Sequence, residues 1–339
     1  MKKFLIIVVI LVIAPVAYIS GYGAYHGLDV PSGLAAISKN LLGDELHYGA
    51  GEPVSASSLS VKPAKVTWRG DIENESLEEA SGLAASRRHE DVLYSINDSG
   101  NEPRLFALGT DGRDLGSSPI RYSGTHDFED IASFEIDKIA YLLIADTGDN
   151  FYWRRSVTLL IVEEPDLETL ATGMGLNVAW SIEFSYPDGY RDVEAVAVDE
   201  EKIYLISKRR VPVEVYELPL RPGKMPIVAK RIGTLTGIPQ PTDRDLREDP
   251  EFGKFRSMPT AFDINGRHAI VFTYRDAYYF RRGRRESWAA ALTKIPKRIL
   301  LPDIYGLEAG SFDTRAQHLY VTGEREDGVR RTGLYRVQM

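Results

Sequence analysis

The sequence predicts an all-β fold, a five-bladed β-propeller closed by an N-terminal strand and preceded by one transmembrane helix. Three observations carry this expectation. Short strand-like runs fill the chain after Ala64, one phrase recurs five times ahead of such runs, and a single long apolar segment opens the sequence.

The strand-like runs include VTWRGDI, VLYSI, RLFAL, YLLIAD, TLLIVEE, IYLIS, EVYEL, AIVFTY, HLYVTG and GLYRVQ. They are rich in β-branched and aromatic residues and bounded by turn formers such as Asn97-Asp98-Ser99-Gly100. That is the pattern of short strands joined by tight turns. Many such strands with little helical periodicity point to a sandwich, a barrel or a propeller.

The repeat selects among these. Its copies are Ser81-Gly82-Leu83-Ala84, Glu129-Asp130-Ile131-Ala132, Glu194-Ala195-Val196-Ala197, Thr260-Ala261-Phe262-Asp263 and Glu308-Ala309-Gly310-Ser311. Each is followed by a second and a third strand, and first positions lie about 48 or 65 residues apart. Four-stranded blades with loops have that length. The fifth copy ends on its third strand at Met339, while a spare strand, Val66 to Ile72, precedes the first copy. Pairing the two would close the ring and protect the open sheet edges. Six blades is the alternative, should Pro239 to Arg256 contain strands.

At the N-terminus, Lys2 and Lys3 precede a mostly apolar stretch from Phe4 to Tyr25. About 20 such residues span a bilayer. The flanking lysines predict an N-in anchor, and Tyr18, Tyr22 and Tyr25 suit an interfacial belt. The expected division is an anchor over 1–25, a tether over 26–63 and a propeller over 64–339. The expected location is a bacterial inner or cytoplasmic membrane, with the bulk of the chain outside the cytoplasm. A cleaved signal peptide is the rival reading, though no Ala-x-Ala site is present.

The 339 residues carry a net charge of -8 and no cysteine. Acidity argues against a nucleic-acid partner. The lack of cysteine removes disulfides, thiol nucleophiles and Cys-based zinc sites. No P-loop, G-x-S-x-G elbow or H-E-x-x-H motif occurs.

The first strand of a propeller blade lines the central channel, so equivalent repeat positions form a ring. Here the ring is Ser81, Glu129, Glu194, Thr260 and Glu308. Glutamates gathered on one axis repel one another and lose hydration. A hard cation relieves both costs, and calcium takes six to eight oxygen ligands; magnesium is the second choice. Asp127 and Asp192, like Glu79, stand two residues earlier on the same face. A water-filled acidic channel without metal is the plain alternative. The second strands end at Asp98, Asp146, Lys208-Arg209, Arg275 and Glu324-Arg325, which should overlook the same mouth. Lys208, Arg209 and Arg275 suit phosphate or carboxylate groups. Solvated or mutually paired loop residues are the alternative.

The ring order Ser, Glu, Glu, Thr, Glu resembles that of the calcium-activated nucleotidases (apyrases), five-bladed propellers whose axial calcium sits in a Ser/Glu/Glu/Ser/Glu set. The openings Glu79-Ala80-Ser81-Gly82-Leu83, Phe128-Glu129, Val193-Glu194-Ala195 and Gly306-Leu307-Glu308 are similar to that family's, as are Asn97-Asp98-Ser99-Gly100 and Ser207-Lys208-Arg209-Arg210. Thr260 departs from the family's serine, and 149–188 has no counterpart there. Parts of the chain also resemble bacterial phytase-like and SdiA-regulated-type exported propellers.

Two functions follow as expectations. One is calcium-dependent phosphoanhydride or phosphoester hydrolysis of a small phosphorylated or anionic ligand. There Asp98 or Asp146 would position water, while Lys208, Arg209 and Arg275, with Asp127 and Asp192 at the mouth, would bind the ligand. The other is a calcium-stapled binding module for an envelope protein, peptide or glycan.

Overall fold

The computed structural model describes residues 46–339, apart from 124–125, 222, 224–225, 251–252 and 327. The expected anchor and the first part of the tether lie outside the described residues. Among the described residues, no helix is long and apolar enough to cross a membrane.

Residues 47–149 and 154–339 form one unit, a propeller of five antiparallel blades. Blade 1 runs Ala80–Ala85, Val92–Asn97, Arg104–Gly109, Asp114–Pro119. Blade 2 runs Phe128–Ile136, Ile139–Asp146, Val157–Glu163, Val178–Ser185, with Ile227–Val228 added in parallel at its edge. Blade 3 is Val193–Asp199, Lys202–Ser207, Val213–Pro219 and Lys230–Leu235. Blade 4 is Pro259–Asn265, His268–Thr273, Asp276–Arg281 and Lys297–Leu300. Blade 5 takes three strands from the C-terminus, Ala309–Phe312, His318–Thr322 and Gly333–Gln338. Its fourth is Lys65–Asp71, paired antiparallel so that Val337 faces Val66. The ring is therefore closed by the N-terminal strand, as the spare strand implied. Among the described residues Pro239 to Arg256 holds no strand, only helix α1 (Asp243–Glu248) and a short 3-10 turn. This excludes the six-blade alternative.

Inner strands crowd the axis, which explains their small residues. A Cβ on Gly82 would fall 2.6 Å from Asp130 Oδ1, and one on Gly310 would fall 2.7 Å from the Phe272 ring. Larger aromatics fill the space between blades, where Tyr94, Phe106, Phe128, Phe262 and Phe272 are buried. The first strands of neighbouring blades pack on one another around the channel.

Residues before the propeller are not slack throughout. His47–Tyr48 pairs in parallel with Arg210–Val211, which lies between the second and third strands of blade 3, and Val61–Lys62 pairs in parallel with the outer strand of blade 4. Leu59 is buried between these two blades. Residues 150–153, which belong to a separate unit, carry Phe151 and Trp153 with ring centroids 5.1 Å apart.

Candidate metal centre in the axial mouth

The repeat positions owe their orientation to a backbone device. In blades 2, 3 and 4 the pairing of the inner strand slips by one residue at Glu129, Glu194 and Thr260, and in blade 1 around Ser81-Gly82. Each is a β-bulge, which leaves one residue unpaired and re-aims its side chain. In blade 5 Glu308 directly precedes the inner strand. The local irregularity thus aims the ring residues of blades 1 to 4 at one end of the channel, and Glu308 reaches it without one.

Carboxylates meet there in three overlapping groups, each with ligand atoms within 4.8 Å of one another. They are Asp98-Asp127-Glu129, Asp98-Glu308-Glu324 and Glu129-Asp192-Glu194. None contains all three ring glutamates. The predicted ring is therefore resolved into neighbouring sites around the mouth. Ser81 donates its hydroxyl proton to the carbonyl of Glu129 at 2.6 Å, and Thr260 donates to that of Leu307 at 3.2 Å. Both hydroxyls stitch a blade to its neighbour and keep lone pairs for a further contact.

The two sides of the mouth differ. On one side Lys208, itself buried, donates to Glu194 and, at 2.8 Å, to the Tyr274 hydroxyl. Tyr274 in turn donates to Glu308. Burial opposes the Lys208 charge, but Glu194, Tyr274, Glu308 and Asp192 hold its ammonium well above the ordinary value. Burial pushes the Glu308 carboxyl up to about 8, against the pull of Lys208 and with help from Glu324 and Asp98.

On the other side two buried acids each keep an oxygen without a donor. Buried oxygens Asp127 Oδ1 and Glu129 Oε1 have no hydrogen-bond partner, and the same holds for Glu308 Oε2. Burial, then Glu194, Asp98, Asp127 and Asp192, lifts the Glu129 carboxyl well above its usual range. Asp127 is pushed up to about 6 by burial and then by Asp98 and Asp192. Burial also raises Asp98. A Cβ on Gly148 would lie 2.0 Å from Glu129 Oε1 and 2.4 Å from Asp127 Oδ2, so any larger residue would push these carboxylates from their present positions. Buried, partnerless carboxylate oxygens and an all-oxygen donor set fit a hard divalent cation such as calcium or magnesium.

The remaining predicted site residues are engaged with other protein groups. Arg209 lies 3.2 Å from Asp192 and stacks its guanidinium over Phe255. Arg275 turns to α1, with Asp245 and Glu248 each at 2.7 Å. Asp146 is completely buried and committed: it accepts from Tyr122 at 2.8 Å and the Asp127 amide at 3.0 Å, and faces Arg154 at 2.7 Å.

Sequence reasoning missed Tyr274, Gly148 and Asp130. The Asp130 carboxylate lies buried next to Glu129 and accepts the amides of Ile131, Val196 and Phe262 at 2.8, 2.8 and 3.1 Å. It ties blades 2, 3 and 4 together. The Glu129-Asp130 pair was visible, but its inward-facing second acid had no counterpart in the other repeats.

No protein-family model matches the sequence, and no curated protein matches it. Among solved structures, the chain is similar to the PQQ-bound aldose sugar dehydrogenase of Streptomyces coelicolor. That match has 11% identity and a TM-score of 0.45, over 83% of this chain and 100% of that one. It is also similar to the glutaminyl cyclase of Myxococcus xanthus, at 9% identity and a TM-score of 0.45, over 85% and 98% of the two chains. Likeness at this level carries no argument about function. The propeller rests on the chain's own sheets, and the nucleotidase resemblance on its blade openings.

Proposed function

We propose that this chain is a membrane-anchored, extracytoplasmic propeller that binds calcium at the mouth of its axial channel and serves as a binding module. Asp98, Asp127 and Glu129 would hold the ion, with Asp192 beside them. The observation that carries the reading is the set of buried carboxylate oxygens without donors at Asp127 and Glu129. Leaving buried charge unpartnered is costly, and a cation offsets that cost. Bound there, calcium would neutralise the acids and offer an open coordination position to an anionic group of a peptide, glycan or small ligand.

The binding reading is favoured over phosphohydrolysis by the state of the basic residues. Lys208 is spent on Glu194, Arg209 faces Asp192, and Arg275 is held by Asp245 and Glu248. A phosphoryl-transfer site asks such groups to meet substrate oxygens. Asp98, half-buried at the lip and shared by two acidic groups, is the residue that keeps hydrolysis as the second reading.

The test is thermal unfolding of the full chain in detergent, with EDTA and then with calcium. A rise in Tm with calcium is expected, and it should vanish in Glu129→Gln. An unchanged Tm in the wild type would refute the site. Calcium-dependent phosphate release from nucleotides or sugar phosphates would shift the reading to hydrolysis.

A further inference from the structure

Blade 4 carries a second charged feature, at the end remote from the mouth. Its inner strand starts at the mouth with Thr260 and reaches a turn at Gly266-Arg267. Arg281 ends the third strand opposite His268, and Lys297 begins the fourth strand opposite Tyr279. The strand at Val61–Lys62 adds Lys62, whose ammonium lies 5.0 Å from the centre of the Tyr279 ring. Arg284 and Arg285 are exposed on the loop that follows Arg281.

Among the described residues, none of Lys62, Arg267, Arg281, Arg284, Arg285 and Lys297 forms an ion pair. Other cations nearby do: Arg282 meets Asp199, Lys294 meets Glu286, and Arg298 meets Asp276. The unpaired group is tight enough to oppose its own charging. Burial and then Lys297 lower the Lys62 ammonium. Burial and then Arg281, Arg267 and Lys62 lower His268. Beside these cations Ile295 is 66% exposed and Val61 is 49% exposed. An acidic chain that gathers six unpaired cations around exposed aliphatic side chains offers the complement of an anionic, apolar-backed surface.

We propose that this lower edge of blade 4 docks on a bilayer leaflet rich in anionic lipid headgroups, turning the acidic mouth away from the membrane. The cations meet headgroup phosphates, while Ile295 and Val61 enter the interface. The proposal rests on the membrane reading above. Residues 26–45 reach at most about 70 Å when extended, so the tether permits this orientation without imposing it.

The chain contains no cysteine, so a single introduced one takes a unique label. The full chain is reconstituted in liposomes of phosphatidylcholine, alone or mixed with phosphatidylglycerol, with a nitroxide quencher on the headgroups. A fluorophore at Thr293→Cys should be quenched in the mixed liposomes, and one at Ser99→Cys on the mouth should not. High salt should abolish the quenching. Arg267→Gln, Arg281→Gln and Lys297→Gln should each lower the docked-to-undocked ratio about fivefold. Equal quenching in both lipids, quenching insensitive to salt, or quenching at Ser99→Cys instead would overturn the proposal. Flotation with phosphatidylcholine vesicles at high salt reports the anchor separately. A chain that fails to float disproves the anchor, and the edge is then scored by salt-sensitive binding to phosphatidylglycerol vesicles.

Discussion

The two halves of the channel mouth start from the same repeat position and end in opposite electrostatic states. Glu194 and Glu308 share an internal cation, Lys208, through a direct contact and through Tyr274. Among the described residues Glu129, Asp127 and Asp98 form no such ion pair, and Glu129 Oε1 and Asp127 Oδ1 are buried without donors. A repeat can copy a carboxylate into several blades, but only sequence outside the repeat decides which copy receives a counter-charge. The completed half is structural in character, and the incomplete half is where an external cation has something to gain.

Removing the internal cation breaks the contrast most severely. Lys208→Met should leave Glu194 and Glu308 buried together without a positive partner. Loss of one member of a buried pair costs about 3–5 kcal/mol. Denaturant unfolding in EDTA is expected to show a loss of that order, partly recovered by calcium as the second half becomes a cation site. An unchanged midpoint would mean the mouth is wetter than its burial implies.

Acidity tests both halves together. The carboxyl of Glu308 rises from its ordinary 4.5 to about 8, and that of Asp127 from 3.8 to about 6. Acids whose pKa rises on folding bind more protons in the folded chain. The metal-free protein should therefore lose stability as pH climbs from about 4 to about 8. Calcium requires the carboxylates ionised, so its stabilisation should grow over the same range. Melting curves across that window, with EDTA and with calcium, should diverge as pH rises. Parallel curves would separate the acids from the metal.

Gly148 sharpens the comparison because it serves the incomplete half alone. Its missing Cβ is what lets Glu129 and Asp127 approach. Gly148→Ala should cost about 1–3 kcal/mol through overpacking and should weaken calcium binding, read by titration calorimetry. The Lys208 side should keep its geometry, so the pH profile above should change in its Asp127 part and not in its Glu308 part.

Much of this architecture was legible in the sequence, and the illegible part has a common cause. Five blades, the closing strand Lys65–Asp71 and the register of Glu129, Glu194 and Glu308 all follow from local patterns that recur along the chain. The bulges that aim Glu129 and Glu194 leave no compositional mark. The partners that divide the mouth lie far away in sequence: Lys208 meets Tyr274, and Asp130 in blade 2 takes an amide from Phe262 in blade 4. Such pairings arise only once the ring closes. Asp146 illustrates the same limit, since its position at a second-strand end is right while Tyr122 and Arg154 occupy its oxygens.

The smallest effect expected is at Arg275, and it bears on why the mouth presents acids rather than bases. The insert between blades 3 and 4 brings α1 over the mouth side of blade 4, where Asp245 and Glu248 hold the Arg275 guanidinium. Thr242 caps α1 by accepting the Asp245 amide, so the acidic first turn is built to face that guanidinium. Glu248 is largely solvated and adds little, while the buried Asp245 carries most of the tie. Arg275→Gln should lower stability by about 1–2 kcal/mol, since Asp245 keeps Thr242 and Ser257 as donors and the glutamine amide can still reach it. It should leave calcium affinity unchanged, because Arg275 is turned from the acids proposed to hold the ion. A clear change in calcium affinity would instead place Arg275 in the field of Asp98 and Glu324. The division of the mouth into a completed and an open half would then extend to the insert.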